Sequence, residues 1–344
     1  MHPFQLPRWQ ITDCCDSVPR RLTAAAPAED RASGGGGSGG GGSAAAQVRN
    51  FPPPPPAVSP IEGLIDTHFH SGPDVFGRSL DDEQGAQLYK DHGMEGLVLK
   101  NHMVPTADRA WFVRKHLTGI KVFGGIVLNA AVGGINPDAV QWMWRMQGGY
   151  GRCVWFPTID ADHHVKHFKD APEGIKVLGA DGQVLPAVRE VLKICAQQNL
   201  VVNTGHLSPV EALAVIAAAR DHGVERIIVT HAQFEVVNMS LDEMKQAAMA
   251  GAKLELCAAG PLMGPQAHLQ WMRAWRQVRI QESAEAIRAI GPEHFVFGTD
   301  LGQSGNPSHA DGLQMYVTEL MGQGITKDQI KLIGRETPGS LLMG

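Results

Sequence analysis

The stretch Gly63-Leu64-Ile65-Asp66-Thr67-His68-Phe69-His70 reads as a short apolar strand that runs into polar residues, and Ser71-Gly72-Pro73-Asp74 breaks the chain straight after it. Alternate residues of a strand point the same way, which puts Asp66, His68 and His70 on one face and Thr67 and Phe69 on the other. Imidazoles two residues apart stand about 7 Å apart along the strand and can close on one ion at its end. An isolated His-x-His is more often a pair of ordinary histidines in a polar turn. The assignment therefore depends on what the rest of the chain brings to the same place.

Working outward, seven more apolar runs follow, at 96–100, 121–128, 153–158, 200–204, 226–230, 253–257 and 295–299. Between them lie helix-like stretches at 79–92, 107–116, 137–146, 185–197, 209–222, 240–250 and 271–290, with a further helix at 312–321. Ser240 and Glu243 have the spacing of a capping box. Strands alternating with helices imply a parallel sheet. Runs that are apolar throughout, as most of these are, imply a sheet covered on both faces. Eight such units predict an α/β fold, a closed (β/α)8 TIM barrel. The alternative, an open doubly wound sheet, lacks support because no Gly-x-Gly-x-x-Gly opens a helix after any strand.

The chain has 344 residues, a formal net charge of −5 and 15 histidines. Its length fits one large or two medium domains. Basic residues are scattered, so there is no nucleic-acid footprint. No apolar run approaches the roughly 18 residues that span a bilayer. Cys153, Cys195 and Cys257 lie far apart in apolar segments and Cys14 and Cys15 near the start, which reads as reduced thiols of a cytoplasmic protein. Residues 1–60 are predicted to be a disordered low-complexity tail, from the glycine-serine repeat at 34–43 and the polyproline run at 52–56. Arg20-Arg21 is followed by no apolar core of an export signal. The barrel is expected over 61–344.

Read together, the strand endings share a pattern. His68 and His70 end the first strand, Lys100 the second, His206 the fifth, His231 the sixth and Asp300 the eighth. In a parallel barrel these positions share one rim, where sites of this fold are built. Alone, a histidine at a strand end is usually a hydrogen-bonded structural residue. Four imidazoles and a carboxylate converging on one rim form a donor set for a transition metal.

These residues resemble the metal-dependent amidohydrolase superfamily: 65–70, the histidines after strands five and six, Phe297-Gly298-Thr299-Asp300, and the closing stretch 336–342. The resemblance covers roughly 61–344. It implies one or two divalent ions per chain, zinc first, with manganese or iron as alternatives. His68, His70 and Asp300 would hold the more buried ion. His206 and His231 would hold a second, or else one would bind the single ion and the other would polarise the substrate. Asp300 would take a proton from the attacking water, whose pKa a bound cation lowers towards about 7. Asp300 and His231 are thus the catalytic candidates.

Strand four departs from the family pattern. Binuclear members usually carry a carbamylated lysine or a glutamate there, whereas this strand runs into Phe156-Pro157-Thr158. Lys100 is the substitute: a carbamylated bridge, or else a cation paired with a substrate carboxylate or with Asp160. Asn101, His102, Asn129 and Asp160 are candidate substrate contacts on the rim. His163 and His164, with Asp160, read as a solvated polar loop. Glu255, inside strand seven, is a barrel-interior polar group or a partner of a metal ligand. Trp111, Trp142, Trp144, Trp271 and Trp275 are expected in helix packing. The function expected is a hydrolase in which water attacks an amide, lactone or ester carbonyl of a small molecule. The alternatives are a one-metal decarboxylase or hydratase, and a non-catalytic barrel. The partner expected is a small-molecule substrate, with neither nucleic acid nor membrane, and self-association is compatible with the sequence.

Overall fold

The computed structural model describes residues 58–344. The reading of residues 1–57 as a disordered tail, including Cys14 and Cys15, lies outside them. Eight strands run in order, every neighbouring pair parallel: β1 Ile65–Phe69, β2 Gly96–Leu99, β3 Lys121–Val127, β4 Gly151–Trp155, β5 Val201–Asn203, β6 Ile227–Val229, β7 Lys253–Cys257 and β8 Phe295–Gly298. The chain is a TIM barrel, as expected. Its seam between β8 and β1 closes through the Asp300 N–H donating to His68 O at 2.8 Å and a parallel bridge from Phe69 to Leu301.

Helices cover the outside: α1 Asp82–Asp91, α2 Ala107–His116, α3 Pro137–Trp144, α4 Asp162–Val165, α5 Pro186–Gln197, α6 Pro209–Asp221, α7 Leu241–Met249, α8 Ile280–Ile290, α9 His309–Gly322, α10 Lys327–Lys331 and α11 Thr337–Met343. Local chemistry explains where several begin. Asp81 with Gln84, Ser208 with Glu211 and Ser240 with Glu243 form capping boxes, and proline occupies the first turn of α3, α5 and α6. In α5, Val188, Val191, Leu192 and Cys195 are buried at helical spacing. The barrel interior is filled by residues including Ile65, Val98, Phe123, Val127, Cys153, Trp155, Val201, Ile228 and Val296, with Leu341 and Leu342 of α11 joining them. Cys153, Cys195 and Cys257 are free and buried. Among the described residues no helix is long and apolar enough to cross a membrane.

Two expectations need correcting. The helix expected over 271–290 is broken: Gln270–Ala274 is a 3-10 turn, Trp275 is extended, and α8 starts at Ile280. Tertiary contacts outweigh helix propensity here, because Arg276 N–H donates to Glu235 Oε2, Arg276 Nη2 to Gln233 O, and the Val278 N–H to Gly260 O. Nor are all the tryptophans packing residues: Trp142 is 69% exposed and Trp271 51% exposed.

Candidate metal centre at the barrel mouth

The alternation expected along β1 does not hold. The register between β1 and β2 shifts between Asp66 and Phe69, so Asp66 leaves the face of His68 and His70. Its Oδ1 accepts from the backbone N–H of His68 (2.9 Å) and of Thr299 (2.8 Å), and its Oδ2 from the hydroxyls of Tyr89 (2.6 Å) and Thr299 (2.7 Å). Burial, only partly offset by these bonds, raises its pKa. Asp66 is thus a clasp across the β1–β8 seam. Thr67 and His68 instead both reach Glu255: Thr67 Oγ1 donates to Oε1 at 2.8 Å and His68 Nδ1–H to Oε2 at 2.9 Å.

Fixing Nδ1 in this way turns His68 Nε2 towards the mouth. There it stands 3.2 Å from His70 Nε2 and 3.2 Å from Asp300 Oδ1, and His70 Nε2 is also 3.2 Å from Asp300 Oδ1. The three atoms form a nearly equilateral triangle. Ligand atoms of a tetrahedral ion with bonds of about 2.05 Å lie about 3.3 Å apart, so the spacing fits a zinc-sized ion. His70 is oriented in the same manner, its Nδ1–H donating to Lys100 O at 3.0 Å. Each imidazole thus directs one nitrogen at a partner and one at the triangle, the usual support for a metal-binding histidine. Asp300 has φ 51° and His231 φ 27°, left-handed conformations that non-glycine residues seldom adopt.

Glycine is required beside this triangle. A Cβ at Gly298 would lie 2.7 Å from His68 Cβ and 2.8 Å from Glu255 Oε1, and one at Gly302, where φ is 121°, 2.1 Å from His70 O.

The remaining sequence candidates fall at different distances from the triangle. Lys100 is 1% exposed, and its Nζ lies 3.0 Å from His68 Nε2 and 5.7 Å from the centre of the Trp155 ring. It is a neighbour of one ligand and does not pair with Asp160. Asp160 Oδ2 instead accepts from the Ala130 N–H at 2.8 Å. His231 lies near His68 and His206, with ring centres 5.8 and 4.9 Å away, and stacks on Phe234. Among the described residues its ring nitrogens form no hydrogen bond, and Nδ1 is buried. His206 Nδ1 pairs with His164 Nδ1 at 2.9 Å, so His164 belongs to the rim and not to a solvated loop.

His102 stacks on His70 with ring centres 4.9 Å apart, its Nδ1 hydrogen-bonded to Thr158 Oγ1 at 2.9 Å. Asn129 is fully engaged inside the protein: Nδ2 donates to His102 O and Thr158 Oγ1, and Oδ1 accepts from the Thr158 N–H. Asn101 Oδ1 accepts from the Met103 and Val104 N–H groups and shapes its own turn. Sequence reasoning named Glu255 without deciding its role and did not single out Arg78, which lies in a loop without periodicity.

Electrostatics divide these groups. Burial lowers the pKa of His70, His102 and His206, with neighbouring positive groups adding to the effect, and pushes His231 down to about 3. These rings are neutral lone-pair donors at pH 7. Burial and the Lys100 charge oppose protonation of His68, but the Asp300 and Glu255 carboxylates prevail and raise it to about 9. Burial works against ionisation of both carboxylates, yet His68 holds Glu255 down to about 2, and His68 with His70 holds Asp300 well below the carboxylate range. Burial lowers Lys100. His68 is thus the ring that carries a proton, and an ion taking its Nε2 lone pair replaces that proton.

Solved structures share this fold. An amidohydrolase from Pseudomonas aeruginosa aligns with TM-score 0.53 at 10% identity, over 83% of this chain and 98% of its own. An organophosphorus hydrolase from Deinococcus radiodurans aligns with TM-score 0.53 at 12% identity, over 81% and 92%. No curated protein is similar to the chain by sequence. One family model matches residues 63–255, more than half of the chain and the segment carrying His68, His70, Lys100, His206, His231 and Glu255. By that match, the chain belongs to a family of unknown function, DUF6282.

Proposed function

We propose that the protein is a metal-dependent hydrolase in which water attacks an amide, lactone or ester carbonyl of a small molecule. The observation carrying this reading is the triangle of His68 Nε2, His70 Nε2 and Asp300 Oδ1, each 3.2 Å from the others at the mouth of the barrel. A divalent ion held by these three residues, zinc by preference, would supply Lewis acidity and lower the pKa of the attacking water. Asp300, whose pKa is held well below the usual carboxylate range, would take up the proton of the attacking water. His231, a neutral ring whose nitrogens have no hydrogen-bond partner among the described residues, is the group to donate a hydrogen bond to the substrate carbonyl. Glu255 holds His68 in the tautomer that leaves Nε2 free. His206, paired with His164, and His102 line the way in.

A second reading, a one-metal decarboxylase or hydratase, draws support from strand four. Strand four runs into Phe156-Pro157-Thr158, with neither lysine nor glutamate at its end, and among the described residues His206 and His231 do not join the group of His68, His70 and Asp300. This supports one ion per chain, with Lys100 as a cation beside it.

The test is elemental analysis of protein purified without chelator, followed by turnover of ester, lactone and amide panels beside a CO2-release assay. About one ion per chain, with hydrolysis lost in Asp300→Asn, is the expected result. Release of CO2 without hydrolysis would favour the lyase. Protein that takes up neither zinc nor manganese would overturn both.

A further inference from the structure

Arg78 sits in the loop between β1 and α1, a segment that is firmly held. Arg109 of α2 grips Asp82 through Nε (2.7 Å) and Nη2 (2.6 Å) and donates to the carbonyls of Ser71 and Pro73. Ser79 N–H donates to Gly302 O at 2.9 Å, and Arg78 forms an antiparallel bridge with Gln303, whose side chain donates to Asp300 O. The loop is therefore tied to the residues that follow the strand-eight aspartate. Arg78's side chain is only 6% exposed. One carboxylate oxygen, Asp74 Oδ2, takes both Nε and Nη2 at 2.8 Å, and Nη1 forms no hydrogen bond among the described residues. The guanidinium lies 5.6 Å from the centre of the Phe76 ring, Phe76 packs edge-on against His102, and His102 stacks on His70. Its charge also opposes protonation of His70, Lys100, His102 and His309, four groups around the mouth.

We propose that Arg78 is the anchor for a carboxylate on the substrate, so that the site takes small organic acids. A largely desolvated guanidinium with Nη1 unpaired among the described residues, one aromatic ring away from His102 at the mouth, is suited to receive a planar anion. A phosphate ester would call for further donors, and Lys100, enclosed between His68 and Trp155, is not on the surface of the mouth. The proposal rests on the reading of this rim as an active site and extends it to a substrate class.

The experiment is calorimetric titration of the full chain with benzoate and with its uncharged analogue benzamide, in wild type, Arg78→Met and Arg78→Lys. Wild type is expected to bind benzoate at least about 10-fold more tightly than benzamide. Arg78→Met should lose that preference while its benzamide affinity stays unchanged, and Arg78→Lys should retain part of it. If Arg78→Met is unstable because Asp74 is left alone, Asp74→Asn combined with Arg78→Met replaces it. Equal benzoate affinity in wild type and Arg78→Met would overturn the proposal. So would wild-type protein that binds none of benzoate, acetate and succinate. Metal content is measured on the same samples and the titration repeated after chelation. Protein that takes up neither zinc nor manganese and still loses benzoate through Arg78→Met refutes the metal-dependent reading and leaves the anion site standing. Benzoate binding that depends on metal and not on Arg78 does the reverse.

Discussion

Glu255 uses two oxygens to position three groups. Oε1 accepts from Thr67, and Oε2 accepts from His68 Nδ1–H and, at 3.1 Å, from the His231 backbone N–H. Replacing it with glutamine keeps the shape but removes the charge that sets the His68 tautomer. Glu255→Gln should weaken zinc binding by about 10- to 100-fold, read by competition with a chromogenic chelator; unchanged affinity would separate His68 from the metal. Lys100 touches His68 Nε2 but stands outside the triangle of donors. Lys100→Met should therefore retain its ion while turnover falls by about 100-fold. Metal lost together with activity would make Lys100 a ligand, as in the carbamylated-bridge reading. Arg78 belongs to the same scale: a single residue whose partner and free edge can be known only from the coordinates.

At the scale of elements, the β1–β8 seam is where stability and site meet. Asp66 accepts four hydrogen bonds there, one from His68 of β1, one from Tyr89 of α1 and, across the seam, two from Thr299 just after β8. Asp66→Ala would leave the Thr299 and His68 N–H groups and the Tyr89 hydroxyl without an acceptor, and the Thr299 hydroxyl with only His68 O at 3.2 Å, at a cost of at least about 3 kcal/mol. Urea denaturation measures this; a loss below 1 kcal/mol, roughly one hydrogen bond, would show that the seam is held elsewhere. Gly298 in β8 admits no side chain, since a methyl would press on His68 and Glu255. Gly298→Ala should lower zinc affinity, read by competition with a chromogenic chelator, because the collision falls on His68 and Glu255. The break before α8 follows the same logic. Trp275 leaves the helix to lie against His164 and His167, so the rim gains an aromatic wall where propensity alone would have continued a helix.

For the molecule as a whole, the last helix closes the barrel. Leu341 and Leu342 reach the interior cluster, and Gly334 lets the preceding turn pack on Leu64 and Phe297, where a Cβ would come within about 3 Å of both. Glu95 ties this region to the barrel by accepting from Lys121 Nζ (2.6 Å) and Arg335 Nε (2.9 Å). Partial burial works against its ionisation, but these two partners hold its pKa below the usual value. A depressed carboxylate stabilises the fold above its unfolded pKa, and the contribution is lost as pH falls through the folded value. Glu95→Gln should therefore cost less than about 1 kcal/mol at pH 7, its Lys121 and Arg335 partners being solvent-exposed, and nothing in strong acid. Thermal melts of both proteins across pH test this; a difference that grows in acid would reverse the sign.

The sequence by itself determined the order of elements, because apolar runs of strand length, capping boxes and glycine stops are local signals. It also determined that His68, His70, His206, His231 and Asp300 share one rim, since a parallel barrel puts every strand's C-terminal end on the same side. Only the tertiary structure decided what those residues do there. The register shift in β1 turned Asp66 into a clasp and sent Thr67 and His68 to Glu255, against the simple alternation of a strand. Asn129 became a tie between the loops after β2 and β4, Asn101 a support of its own turn, and His164 and Arg78 joined the rim from segments without periodicity. Partners 239 residues apart, as the His309 ring and the His70 carbonyl are, leave no trace in local pattern. They are set by how eight loops pack against one another at the top of the barrel.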